Sequence, residues 1–257
     1  MDTQRPSVQQ TTLPTIYNMS SSQARNCLWA LEELSASHSI KYEVKNLPRR
    51  DPNTAKTLSS IFPHGKSPIM TLSPIDSSPE SQAAASTTYQ ILPGVLTESR
   101  LILQFIADHY SAGEWTSSSI EDKRRDEFFT EFGHSSLALK INYAIVFEML
   151  TSFLPFGIRH LLFLLIGPLV KFFVKDQELM YGVMEAALSE EKPWFGGEKI
   201  GLADFNMSFP MDVAVQRGYF DGGKFPKCKE WHERIVKRDA YQRALAVGGV
   251  YDLKMFT

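Results

Sequence analysis

Cysteine is scarce in this sequence. Cys27 and Cys228 are the two present among 257 residues, and they form neither a CxxC pair nor a metal-ligand cluster. That excludes a disulfide scaffold or a cysteine-built metal site, and it suits a reducing compartment, so a cytoplasmic location is expected. His64, His109, His134, His160 and His232 are scattered, none at metal spacing from a carboxylate, and no metal is expected. Charge of one sign is also lacking. The formal net charge is -2, so no electrostatic reason exists to expect nucleic acid or an anionic membrane as a partner. Long apolar runs are missing too. In the most apolar segment, 153–174, the longest uncharged run, Leu161 to Val170, contains Gly167-Pro168 and is flanked by Arg159, His160 and Lys171. It falls short of a membrane span of 18 or more residues. A buried helix or pocket wall is the favoured reading of 153–174, ahead of peripheral membrane contact. The polar start, Met1 to Thr12, has no apolar core of a secretory signal, and no internal repeat is present.

What remains is an ordinary globular composition, 43% hydrophobic and 22% charged, in a chain long enough for one large or two modest domains. Thr15 to Met19 reads as a strand, and Ser20-Ser21-Ser22 supplies helix-start hydroxyls. The run to Leu34 then places Ala24, Cys27, Leu28, Leu31 and Leu34 on one helical face. Lys41 to Lys45 alternates as an edge strand, and Ala55 to Ile61 forms a short helix. Next comes His64-Gly65-Lys66-Ser67-Pro68, then an apolar strand to Leu72. Pro68 lacks an N–H and belongs at the start of a strand. Two readings stay open for Ser67-Pro68: a surface turn with a trans bond, or a cis bond that turns the Ser67 N–H and C=O outward. The Ser- and Ala-rich stretch from Ser73 to Thr88 reads as an expanded loop, and Tyr89 to Leu92 as a returning strand. Thr97-Glu98-Ser99 starts another helix. After a Ser-rich linker from Ser111 to Ser119, strand signals fade and helices dominate, from Glu121 to Ala144, Asp176 to Leu188, Ala203 to Ala214, Phe225 to Lys237 and Ala240 to Ala246.

Four features now stand in order: a Ser-started helix, Gly-Lys-Ser-Pro before a strand, Thr-Glu-Ser at a helix start, and a helical second half. This order resembles the glutathione S-transferase superfamily, over roughly Thr15 to Ala246. Leu28-Trp29-Ala30-Leu31-Glu32-Glu33-Leu34 and His64-Gly65-Lys66-Ser67-Pro68 look most like its fungal-type cytosolic members. The resemblance implies an α/β thioredoxin-like N-terminal domain followed by an all-α C-terminal domain. Its boundaries would be a disordered tail at 1–13, a glutathione-binding domain at 14–110, a linker at 111–120 and a helical domain at 121–257. It implies that Pro68 is the cis-proline and that the Ser67 backbone pairs with the cysteinyl part of glutathione. Glu98 and Ser99 match the acidic-Ser pair at the γ-glutamyl end, and Lys66 matches a cation for the glycyl carboxylate. The residue chemistry agrees, since a helix-start hydroxyl suits a carboxylate and Glu98 suits an ammonium. Phe195 to Asp204 resembles the superfamily's capping box, with Gly201 in place of the usual Ser or Thr. Asp204 is therefore expected to be structural.

The resemblance further implies an enzyme, a glutathione transferase. It would join the glutathione thiolate to a hydrophobic electrophile, either a xenobiotic or a reactive secondary-metabolite intermediate. Reduction of an organic hydroperoxide uses the same thiolate. Glutathione is implied as cosubstrate and a homodimer as the assembly. The thiol donor would be a hydroxyl at the first helix, Ser22 or Ser21. The superfamily's Ser-Arg-Ser-x-Arg pattern is poorly kept: Ser22-Gln23-Ala24-Arg25-Asn26 replaces both arginines in register, and Arg25 stands one place off. Arg25 is read either as a substitute cation or as a solvent-facing charge, and Cys27 as a buried helix residue. For the electrophile, Phe129, Phe132, His134, Tyr143 and Phe147 are candidates by location, with core packing an equal explanation. The alternative function is a non-catalytic glutathione-binding or interaction module that keeps the fold.

Overall fold

The first strand, β1 (Thr12–Met19), buries alternate and then consecutive side chains and becomes an inner strand of a four-stranded sheet ordered β2-β1-β3-β4. It pairs in parallel with β2 (Glu43–Leu47) and antiparallel with β3 (Ile69–Pro74), which pairs antiparallel with the short β4 (Val95–Thr97). The parallel pair requires a crossover, supplied by α1 (Ala24–His38), while the antiparallel pair β3 and β4 completes the small α/β layer. The computed structural model describes residues 9–117, 119–152 and 156–254. Two compact units divide it: 1–117 with 235–257, and 118–234. This is the α/β layer and helical second part that the resemblance implies.

In the first unit α1 is buried on nearly every side, because the sheet, α4 (Ser99–Tyr110) and α10 (Asp239–Gly248) pack around it. Trp29 is fully buried, edge-on to Tyr241 at 5.6 Å between ring centroids, and its indole N–H donates to Glu33 at 2.8 Å. Such a buried Trp is worth roughly 3–5 kcal/mol against alanine. Arg243 donates to Glu32 at 2.7 Å, and Arg238 holds both oxygens of Glu33, at 2.5 and 2.8 Å. These bonds attach α10 to α1. The boundary expected at 121–257 therefore differs from the observed division, in which 235–257 belongs with the first unit.

Three local expectations are corrected. The tail expected at 1–13 is shorter, since β1 begins at Thr12 and Gln10 bonds the main chain of Lys41 and Thr12; residues 1–8 lie outside the described residues. The loop expected from Ser73 to Thr88 contains α3 (Pro79–Ser86), capped by the Ser78 hydroxyl on the Ser81 N–H at 3.2 Å with Pro79 in its first turn. That is a Ser-Pro helix start, legible in the sequence but outweighed by its small, polar composition. Tyr89 to Leu92 is not a strand. The Gln90 side chain takes the strand's place, accepting from the Thr97 N–H at 2.9 Å and donating to its C=O at 3.1 Å. Cys27 is buried as expected, which pushes its thiol well above the ordinary value.

The second unit is helical. It comprises α5 (Ile120–Glu131), a π-helical turn (Phe132–Leu137), α6 (Ala138–Ser152), α7 (Phe156–Ala187), α8 (Leu202–Arg217) and α9 (Pro226–Val236). α7 runs through Pro168 and joins the expected Asp176 helix to the apolar segment before it. Residues 153–155 lie outside the described residues, as do several side chains up to 165. The described part of this segment is not buried as expected: Leu164 and Phe172 are 73% and 61% exposed. Phe173 faces inward, stacked on Phe147 with rings 8° apart, while Leu164 and Phe172 stand outside that contact. Among the described residues no helix is long and apolar enough to cross a membrane.

Candidate functional site

The turn from Met19 to Gln23 is fixed by donors and acceptors from three segments. Leu47 C=O accepts from the Ser20 N–H at 3.0 Å. Arg49 donates to the carbonyls of Ser20 and Ser21 at 3.1 and 2.9 Å. The third segment follows α10: Val250 C=O accepts from the Ser21 N–H at 3.3 Å, and the Asp252 N–H donates to the Ser21 hydroxyl at 3.0 Å. Ser21 is buried and sits at φ 55°, a left-handed conformation that costs a non-glycine residue about 1–3 kcal/mol unless its surroundings enforce it. Here the surroundings do. The two candidate serines thus part company, with Ser21 engaged by the C-terminal segment and Ser22 turned toward Ser67.

The Ser22 hydroxyl lies 3.1 Å from that of Ser67 and accepts from the Ala24 N–H at 3.3 Å. Ser67 Oγ donates to Tyr17 C=O at 3.0 Å and accepts from the Met19 N–H at 3.0 Å. Its single proton is thereby used, so the hydrogen between the two hydroxyls belongs to Ser22. The Ser67-Pro68 bond is cis. Both ladders of β3 start at Ile69, and among the described residues no hydrogen bond engages the Ser67 main-chain N–H or C=O. An unpaired strand edge thus lies beside the Ser22 hydroxyl.

At the start of α4, Glu98 is exposed at φ 64° and Ser99 is buried, with its hydroxyl donating to Gln23 Oε1 at 2.7 Å. The Gln90 bonds to Thr97 anchor the residue just before Glu98. Lys66 is exposed and stands next to Ser67, without a side-chain bond to the other site residues. The structure therefore brings Ser22, Ser67 and Pro68 together, links Ser99 to the same turn through Gln23, and leaves Ser21 facing the C-terminal segment.

Arg25 is not a solvent-facing charge. It is 2% exposed, donates to the carbonyls of Ala244 and Gly249, and lies 4.5 Å from the centroid of the Tyr251 ring. Arg49 and the 247–254 segment escape sequence reasoning because their bonds run to residues distant in the chain, and Gln90 because a side chain that pairs with main chain leaves no periodic pattern. The aromatic candidates for an electrophile pocket are occupied in packing within the second unit. Phe129 and Phe132 join Phe195 in one cluster, Tyr143 and Phe147 lie on Phe173, and His134 bonds Asn206 at 2.7 Å. Asp204 is structural: it accepts from the N–H groups of Phe195, Gly196 and Gly201 and from the Trp231 indole, all between 2.7 and 3.1 Å. Burial pushes its carboxyl above the ordinary range, against the opposing effect of those donors.

The description "Glutathione S-transferase, C-terminal domain" matches residues 174–239. The chain is similar to members of the glutathione S-transferase superfamily. It is 24% identical to glutathione S-transferase 3 of Schizosaccharomyces pombe over 227 residues, covering 88% of this chain and 84% of that protein. It is also 24% identical to glutathione S-transferase 1 of Saccharomyces cerevisiae over 240 residues, covering 88% and 93%. The crystal structure of the glutathione transferase URE2P8 from Phanerochaete chrysosporium with oxidized glutathione shares the fold, with a TM-score of 0.66, 18% identity, and coverage of 93% and 96%. The sheet with α1, α2 (Pro52–Ile61), α3 and α4 is the thioredoxin-like part, and α5 to α9 are the helical part. Among the described residues no group of His, Cys, Asp or Glu could hold a metal.

Proposed function

We propose that this chain is a cytoplasmic, homodimeric glutathione S-transferase of the fungal type, which joins the glutathione sulfur to a hydrophobic electrophile. The observation that carries this reading is the Ser22 hydroxyl at 3.1 Å from Ser67, beside the unpaired Ser67 edge and the cis Pro68. An extended tripeptide suits that edge, because the Ser67 N–H and C=O would each gain a main-chain partner. Glu98 would meet the γ-glutamyl ammonium, Ser99 its carboxylate, and Lys66 the glycyl carboxylate. The relatives named above, with their transferase names and a glutathione-bound neighbour, support the ligand class.

Glutathione supplies the nucleophile, a thiolate whose proton leaves to solvent; its new S–C bond displaces a leaving group that departs with the bonding electron pair, such as chloride from a chloroarene. The residues of this chain tune that group. Ser22 gives up a neutral bond to Ser67 and gains a bond to an anionic sulfur, an exchange that favours the thiolate because charge-assisted bonds are roughly twice as strong. Met19 and Tyr17 hold Ser67 during the exchange. The same thiolate would reduce an organic hydroperoxide by attacking its O–O bond and releasing the alcohol, after which a second glutathione gives glutathione disulfide and water.

The test is calorimetric titration with glutathione, followed by conjugation of chlorodinitrobenzene and turnover of cumene hydroperoxide. Micromolar to millimolar binding with saturable conjugation is expected. Binding without either turnover would overturn the transferase reading in favour of a binding module. Sedimentation at micromolar concentration checks the dimer.

A further inference from the structure

Gln23 has no role in the proposal above. It follows Ser22 directly, forms the N-cap position of α1, and is half-buried. Its own side chain leaves the N-terminus of α1 uncapped and reaches Ser99, 76 residues away in sequence, where Oε1 accepts the hydroxyl proton at 2.7 Å. The main chain on one side of Gln23 carries the hydroxyl beside Ser67, and its side chain ends on the hydroxyl proposed for the γ-glutamyl carboxylate. The amide is thus anchored by its oxygen, and among the described residues its nitrogen makes no hydrogen bond. A carboxamide fixed through oxygen presents two N–H donors on the opposite side of the same group.

We infer that Gln23 is a specificity residue of the γ-glutamyl subsite, its Nε2 donating to the ligand's α-carboxylate and its Oε1 orienting Ser99 while the subsite is empty. This rests on the glutathione reading above. The pair forms a relay that switches with occupancy. Ser99 donates to Gln23 when the subsite is empty and turns its proton to the carboxylate when it is filled. Gln23 thereby replaces, with a neutral donor, the charge that an arginine at this register would bring.

Binding of two ligands to three proteins tests this by calorimetry. The ligands are glutathione and γ-aminobutyryl-cysteinylglycine, which lacks only the α-carboxylate. Gln23→Ala should weaken glutathione about ten-fold, the scale of one hydrogen bond to a charged group. It should change binding of the truncated ligand less than about two-fold, by the same scale. Gln23→Glu keeps the oxygen that orients Ser99 but puts a charge against the carboxylate. It should lose more than about ten-fold for glutathione alone. Equal losses for both ligands, or none for either, would overturn the inference while leaving the glutathione reading intact. Failure of the wild-type protein to bind glutathione at all would overturn both.

Discussion

Asp126 stands where the side chain of residue 201 would be. A Cβ built on Gly201 would fall well inside van der Waals contact of Asp126 Oδ1, and the same oxygen accepts from the Ala203 N–H at 2.9 Å. An N-cap hydroxyl normally serves one of the first free N–H groups of its helix. In α8 that acceptor comes from another helix, α5, and glycine at the cap leaves it room. Asp204 supplies the other half of the cap by accepting from the Gly201 N–H at 2.9 Å.

Restoring the usual cap should therefore harm the protein. Gly201→Ser is expected to destabilise by about 1–3 kcal/mol, the range for crowding a packed site. In an Asp126→Ala background, where the Asp126 clash is gone and an N–H is freed, the same change should cost less, with only the Gly196 Cα, 3.0 Å from that Cβ, still crowding it. Urea unfolding of the four proteins in this cycle decides it. Additive effects would show that the two positions do not compete.

Burial pushes the Asp126 carboxyl up to about 7, with the charge of Asp204 adding to the shift and the Ala203 N–H opposing it. The folded state therefore binds a proton that the unfolded state releases near pH 4. Stability from this group is fully present below the unfolded value and is lost as pH rises through about 7. Asp126→Asn keeps the acceptor and removes the titration. Its stability advantage over the wild type should grow between about pH 4 and 7, by up to about 1.4 kcal/mol per pH unit, and level off above. Parallel pH profiles of the two proteins would argue against a proton held there.

Ser22 and Ser21 should give opposite signatures. Ser22→Ala is expected to lower kcat by about ten- to a hundred-fold and raise the pH at which glutathione ionises in the complex, with little change in glutathione affinity. Ultraviolet titration of the bound thiolate reads that shift. Ser21→Ala should instead cost stability, about 1 kcal/mol, by freeing the Asp252 N–H. If Ser21→Ala abolished the thiolate signal and Ser22→Ala left it intact, the assignment would be reversed.

Arg25 ties α1 to the C-terminal segment through two carbonyls and the Tyr251 ring. Arg25→Ala should destabilise by about 2–4 kcal/mol, since it takes this donor from the Ala244 and Gly249 carbonyls and removes a buried, packed side chain. Arg25→Lys should rescue only part, because a point cation lacks the planar fork that spans both acceptors. Thermal unfolding of the three proteins measures it, and full rescue by lysine would show that charge alone suffices.

Much of the fold is legible in the amino-acid sequence by itself. The strand, helix, proline and acidic-Ser order depends on local chemistry: hydroxyls at helix starts, a proline that begins a strand, and apolar side chains at helical spacing. That order points to the fold and to the residues Ser22, Ser67, Pro68, Glu98 and Ser99. Helix α3 escapes it because its small side chains make too weak a pattern, although Ser78 and Pro79 signal a start. Tertiary structure alone decides which serine is free, because the engagement of Ser21 comes from Asp252, 231 residues away. It also decides that Arg25 is an anchor, that Gln90 stands in for a strand, and that Asp126 completes the cap of α8. Apart from Gln90, whose partner Thr97 is seven residues on, each of these is a polar bond between distant segments. Sequence spacing records the periodicity of one element, and carries no trace of the partner that folding brings to it.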